Sequence, residues 1–205
     1  TVRRYLEKSS ELPQESLRTS IPVSLRTADD DQLSNKVTNT TVTLATDLDD
    51  PLDRLREINR ESELAKAQAH SGVPGIIEIF QIMPPILLST MMDSLPVEQA
   101  PQMLGANLVV SNVRGVPVPL YIAGAKMEAM YPMSILTAGM GINFTCVSYC
   151  DNMHFGIMVD PGLVPRHSEL ATGLRQGLAE YTALCEPEKT RRKGRSSRTR
   201  KKAVG

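Results

Sequence analysis

The stretch from Asn107 to Asp160 constrains the fold more than any other, because strand-like runs follow one another there almost without interruption. Leu108-Val109-Val110 is a β-branched run that ends in Ser111-Asn112. Lys126 to Tyr131 alternates polar and apolar residues. Ile142 to Tyr149 and Met153 to Val159 are mostly apolar, and Cys150-Asp151-Asn152 joins them. Such runs, separated by short polar turns, predict strands, and the last two predict a hairpin. Polar Asn112, Ser134 and Asn143 sit inside these runs or at their ends. Strand ends are where a β scaffold usually displays its chemistry.

The rest of the chain supplies more strands and the helices that cover them. Val2, Tyr5 and Leu6 lie on one face of a short helix over Thr1 to Lys8. Leu17 to Arg26 reads as a strand, with Ile21, Val23 and Leu25 set against Ser24 and Arg26. Val37 to Leu44 is a second strand, with one rather polar face. Asp50-Pro51 carries helix-start signals. In the helix that follows, Leu52, Leu55, Ile58, Ser62 and Ala65 form the expected buried stripe. Arg54, Glu57, Arg60 and Glu61 fall on the expected wet side. Ile76 to Leu95 is strongly apolar and rich in Met, and Pro84-Pro85 divides it into two helices. That surface suits packing on the sheet, and it equally suits contact with acyl chains or a lipid surface. A final helix spans His167 to Leu184, with Leu170, Leu174, Leu178, Tyr181 and Leu184 on one face.

Strands and helices in this order predict an α+β fold, a mixed sheet flanked by helices, in one domain over residues 1–185. Residues 186–205 stand apart. They hold nine Lys/Arg and two Glu, whereas the preceding residues hold 14 Lys/Arg and 21 Asp/Glu. The neutral total therefore hides an acidic body and a basic tail. The tail has no apolar period and is expected to be disordered. No apolar run reaches the roughly 18 residues that span a bilayer, and no secretory signal pattern opens the sequence. Three cysteines give no disulfide framework, and Cys146 and Cys150 read as buried thiols, pointing to a reducing, cytoplasmic setting.

Several motifs admit two readings. Asn112 followed by Gly115 is ordinary turn chemistry, in which Asn bonds the local backbone and Gly takes a positive φ. It is also a way to hold a polar amide at a strand end for a ligand. Asn143, in the middle of an apolar run, must be hydrogen-bonded if buried, and so reads first as a structural cross-link. His154 is a lone histidine without a nucleophile or a second His beside it, and reads as structural. Asp29-Asp30-Asp31 reads as a solvated turn rather than a metal site. Gly139-Met140-Gly141 lacks the context of a phosphate loop. The tail lacks aromatics and any folded reader motif, and its charge by itself suits nucleic acid, an anionic membrane surface or no partner at all.

One ordered set of residues resembles a known family. Ser111-Asn112-Val113-Arg114-Gly115, Pro119-Leu120-Tyr121, Gly124, Tyr131-Pro132, Asn143 and His154-Phe155-Gly156 follow one another as in the C-terminal domain of bacterial wax ester synthase/diacylglycerol acyltransferases. Ile21 to Arg26, Asn35 and Asp50 to Leu55 fit the same pattern, so the resemblance covers nearly all of Thr1 to Leu184. Arg114 and Val116 stand where the family usually has Pro. The family's catalytic HHxxxDG motif is absent, and His70, His154 and His167 each lack a His neighbour.

The resemblance implies one half of a two-domain architecture like that of chloramphenicol acetyltransferase. It implies acyl transfer from acyl-CoA, as substrate rather than cofactor, to diacylglycerol or a long-chain (fatty) alcohol. The general base would be a His in the N-terminal half, with no metal involved. This chain would then be the C-terminal half and inactive alone, with the N-terminal catalytic half as its partner. The loop Ser111, Asn112, Arg114 and Gly115, with Ser134 and Asn143, would line the substrate channel. A membrane or lipid-droplet surface is the expected location. The rival readings are a non-catalytic domain that docks on lipid or a partner protein, and a nucleic-acid binder driven by the tail.

Overall fold

The computed structural model describes residues 1–24, 37–69, 83–94, 105–136 and 139–185. Seven strands and four helices are described: α1 (Val2–Ser9), β1 (Arg18–Ser24), β2 (Val37–Thr43), α2 (Pro51–Ala69), α3 (Pro85–Ser94), β3 (Leu108–Val113), β4 (Tyr121–Ile122), β5 (Ala125–Lys126), β6 (Ile142–Tyr149), β7 (Asn152–Val159) and α4 (Ser168–Cys185). The fold is α+β, as the order of strand and helix patterns predicts. The tail from Glu186, the acidic run at 29–31 and the segment Ile76 to Ile82 lie outside the described residues.

The chain divides into two compact units. One is Thr1–Leu12 with the chain from Ser168 onward, and the other is Pro13–His167. The larger unit is built on a five-stranded mixed sheet in the order β2-β1-β3-β6-β7. β3 runs parallel to both β1 and β6, and the two edge pairs, β1 with β2 and β6 with β7, are antiparallel. β6 lies inside the sheet, between β3 and β7, and is buried along most of its length. The hairpin expected between β6 and β7 is present, with Tyr149 opposite Asn152 and Cys150 at a φ of 49° in the turn. The alternation over Lys126 to Tyr131 does not form a strand. Only Ala125–Lys126 pairs, with Tyr121–Ile122. Past Lys126 the segment crosses a sheet face instead of joining the ladder, so its alternation reports one packed side and one open side.

α2 starts where its signals place it. The Asp50 carboxylate accepts hydrogen bonds from the N–H groups of Leu52 (2.8 Å) and Asp53 (2.9 Å), capping the helix. Its buried side differs from the expected stripe. Ala65 is buried, but Leu55 is 48% exposed. Arg54 and Glu61, expected on the wet side, are drawn in by polar partners. Arg54 donates to the carbonyls of Leu48 and Asp49, and Glu61 accepts from the Thr43 N–H. The contact face of α2 is therefore centred on Ile58 and Ala65. Leu55 is turned roughly 60° from Ile58 and 80° from Ala65 at ~100° per residue. Glu57 and Arg60 do form an exposed pair at 2.6 Å.

The smaller unit pairs α1 with α4. Lys8 meets Glu169 at 2.9 Å and Arg4 meets Glu180 at 2.5 Å. Leu170 and Gly173 are buried, but Leu178 is exposed, against the expected face. Five residues on from Gly173, Leu178 is rotated roughly 140° around the helix at 3.6 residues per turn. No helix among the described residues is long and apolar enough to cross a membrane.

Candidate functional site

The sheet register divides the predicted site residues between two faces. Ser111 pairs with Thr145 and Asn112 with Cys146 across the parallel β3–β6 ladder. Side chains alternate along a strand, so Asn112 and Cys146 share one face, while Ser111, Asn143 and Thr145 share the other.

On the first face, Asn112 is exposed near the C-terminal end of β3. The Cys146 sulfur lies 3.4 Å from Asn112 Oδ1 and 3.5 Å from the Ser111 carbonyl. The thiol can donate to either oxygen. Burial pushes the Cys146 thiol above its ordinary pKa, which keeps it protonated and able to donate. A carboxamide whose oxygen accepts from the thiol turns its NH2 group the other way, toward solvent. Asn112 is thus set to donate to an incoming oxygen.

The chain then leaves β3 close against the end of β6. The Gly115 N–H donates to Ser148 Oγ (3.0 Å), and the Cys150 N–H to the Val116 carbonyl (2.9 Å). Any Cβ at Gly115 would fall on the Ser148 carbonyl oxygen, so a glycine is needed by close approach. This differs from the expected positive φ, since Gly115 is not among the positive-φ glycines. Arg114 is exposed beside Asn112 and makes no ion pair with a described residue.

On the second face, the segment from Leu120 to Leu136 lies over β6 and β7 as a strap. The Tyr149 hydroxyl accepts from the Leu120 N–H (2.9 Å) and donates to the Met127 carbonyl (2.8 Å). Asn143 is buried, and its Nδ2 donates to the Ile135 carbonyl (2.9 Å). Thr145 Oγ1 in turn donates to Asn143 Oδ1 (2.9 Å). The cross-link reading of Asn143 therefore describes its contacts. Ser134 is half-buried within the strap. His154 stacks edge-on against Tyr131, with ring centres 5.2 Å apart, and its buried Nε2 has no hydrogen-bond partner among the described residues.

The structure therefore keeps Asn112, Arg114 and Gly115 together at the end of β3, and sends the Ser111 side chain to the other face of the sheet with Asn143, where Ser134 lies in the strap. Sequence reasoning read Cys146 only as a buried thiol and passed over Ser148 and Tyr149. A tyrosine at the end of an apolar strand was a usable signal, because a buried hydroxyl needs a partner.

Comparison with known proteins fits this arrangement. Residues 33–182 match the family model for the WS/DGAT C-terminal domain. The chain is 35% identical over 185 residues to the O-acyltransferase WSD of Acinetobacter baylyi, covering 89% of this chain and 39% of that protein. It superimposes on the wax ester synthase/diacylglycerol acyltransferase of Marinobacter aquaeolei with a TM-score of 0.61 and 28% identity, covering 87% of this chain and 39% of that one. The chain thus spans about two-fifths of the length of these relatives. The chain therefore belongs to the WS/DGAT family as its C-terminal domain.

Proposed function

We propose that this chain is the C-terminal half of an acyl-CoA-dependent O-acyltransferase that makes triacylglycerol or wax esters from diacylglycerol or a long-chain alcohol. The observation that carries the reading is the exposed Asn112 amide at the end of β3, with its oxygen turned toward the Cys146 thiol. A donor fixed before substrate arrives is what a carbonyl developing negative charge requires. Asn112 and the main chain from Ser111 to Gly115 orient the reacting carbonyl. Arg114 offers a cation to the phosphates of CoA. Ser134 and Asn143, on the other face, hold the strap that shapes the channel wall.

The proton is removed by a histidine of the N-terminal half, which takes it from the acceptor hydroxyl as the oxygen attacks the thioester. CoA leaves as the thiol, and no cofactor is consumed. Residues 1–185 form the domain, and the basic tail brings it to an anionic membrane or lipid-droplet surface.

The test is release of free CoA from acyl-CoA with diacylglycerol or a long-chain alcohol. Turnover is expected when this chain is assembled with an N-terminal half bearing HHxxxDG, and none from the chain alone. Turnover by the chain alone that survives His154→Ala would overturn the reading.

A further inference from the structure

The five-stranded sheet ends in β2 on one side and β7 on the other, and its two edges are finished differently. Antiparallel partners alternate between bonded and non-bonded pairs, so one bond fixes which main-chain groups face outward. At the β2 edge, the Leu44 N–H donates to the Leu17 carbonyl (2.7 Å). Thr41 and Thr43 therefore turn their main chain outward, and side chains cap it. Glu61 accepts from the Thr43 N–H (3.3 Å), and the Arg18 guanidinium donates to the Thr41 carbonyl (3.4 Å).

β7 has no such caps. The Asp160 N–H donates to the Gly141 carbonyl (3.0 Å), so Asn152, His154, Gly156 and Met158 bond β6. Met153, Phe155 and Ile157 turn their N–H and C=O groups outward, where no described residue bonds them. Their side chains lie on the Cys146 face. Met153 and Phe155 are 53% and 46% exposed. The strap lies over His154 and Gly156, on the opposite face, and so leaves this edge open. From Asn152 to Val159 there is no Pro, Lys or Arg, the residues that usually blunt an edge.

We propose that the β7 edge is a homodimer interface, on which β7 of a second copy adds antiparallel and continues the sheet across a two-fold axis at Phe155. Self-complementarity selects that occupant. In this register Phe155 lies opposite Phe155 of the second copy, and Met153 opposite its Ile157. Every outward N–H and C=O of these residues then meets a partner. The two half-exposed phenylalanine rings become cross-strand neighbours, a favourable pairing. Charge agrees as well. The edge is bounded by Asp151 and Asp160, and the register sets them opposite Val159 and Cys150 of the second copy, so no two carboxylates face each other. Lipid would cover the side chains but leave the main-chain groups unpaired.

The test measures the mass of the full 205-residue chain in solution across a concentration series. The expected result is a concentration-dependent dimer, at twice the 22.5 kDa of the chain. Met153→Lys/Phe155→Lys should weaken dimerisation by about tenfold or more, because charges on an edge strand oppose pairing. Leu64→Lys, at an exposed position on α2, should leave it unchanged. Residue-resolved amide exchange of the wild type gives a readout that needs no variant. The Met153, Phe155 and Ile157 amides should exchange fast when dilute and slow as the dimer forms. Those of His154, Gly156 and Met158 should be protected throughout.

A wild type that stays monomeric, or a double variant that dimerises equally, would overturn the proposal. So would a dimer in which the Met153, Phe155 and Ile157 amides still exchange fast, since its interface would lie elsewhere. Protection of those amides in a monomer bound to phosphatidylcholine vesicles would give the edge to lipid and equally refute a second copy. If the double variant also lowers the thermal midpoint, the amide pattern of the wild type decides.

Discussion

The Cα of Gly156 in β7 lies directly beneath the main-chain carbonyl of Pro132, so closely that any Cβ would fall on that oxygen. This contact sets how near the strap lies to the sheet. Gly156→Ala is expected to destabilise the chain by about 1–3 kcal/mol, the range for overpacking a close contact. Thermal or denaturant unfolding measures it. The rate of amide exchange across Tyr131 to Leu136 should rise as the strap lifts.

Tyr149→Phe should act on the same strap by a different route. It keeps the ring but removes the hydroxyl that bonds Leu120 and Met127. Two main-chain groups then lose their partner, at a cost of about 1–3 kcal/mol if they stay buried. A stability loss too small to detect would mean that water reaches both groups.

Asn112→Ala separates a binding role from a turn role. Asn112 is exposed, and among the described residues its side chain bonds the Cys146 sulfur alone, so stability should barely change. Turnover by the assembled two-half enzyme should fall by about ten- to a thousandfold, the range seen when a donor to a developing oxyanion is lost. Arg114→Pro, measured beside it, tests whether the cation contributes to acyl-CoA affinity. A lowered melting temperature with intact turnover for Asn112→Ala would make the amide structural.

Cys146 sets a pH dependence whose sign can be worked out. Burial raises its thiol pKa in the folded state. The unfolded thiol therefore ionises first as pH rises, and the unfolded state binds fewer protons over that interval. Stability contributed by this group is full below the unfolded thiol pKa and is lost as pH rises toward the folded value. In native protein, exposed Cys185 should react with a thiol reagent before Cys146. Cys146→Ser should flatten the alkaline side of the stability profile.

Deleting Lys189 to Lys202 should weaken binding to anionic vesicles and leave thermal stability unchanged. Each Lys or Arg near such a surface contributes about 1 kcal/mol, and salt screens it over roughly 8 Å. Binding that persists after the deletion, or that ignores salt, would remove the tail from the membrane reading.

Much of the fold was legible in the sequence because its signals are local. Asp50-Pro51 starts α2 through the capping bonds of one carboxylate, and Cys150-Asp151-Asn152 closes the β6–β7 hairpin. The run Ser111-Asn112-Val113 with the strand motifs behind it was enough to find the family. Helix faces were less legible. Leu55 and Leu178 look buried by period, but which flank of a helix is covered depends on where its neighbours lie, and polar Arg54 and Glu61 turned α2 by finding partners.

The grouping of the site was decided by the tertiary structure alone. Asn112 and Asn143 read alike in sequence, as polar residues at strand ends or within strands. The parallel register of β3 on β6 sends them to opposite faces, one toward solvent beside Cys146 and the other into the strap. Composition and periodicity fix what a segment becomes, because those forces act within a few residues. Which faces meet depends on pairing between segments far apart in the chain, and a shift of β3 by one residue would put Asn112 on the strap face with Asn143.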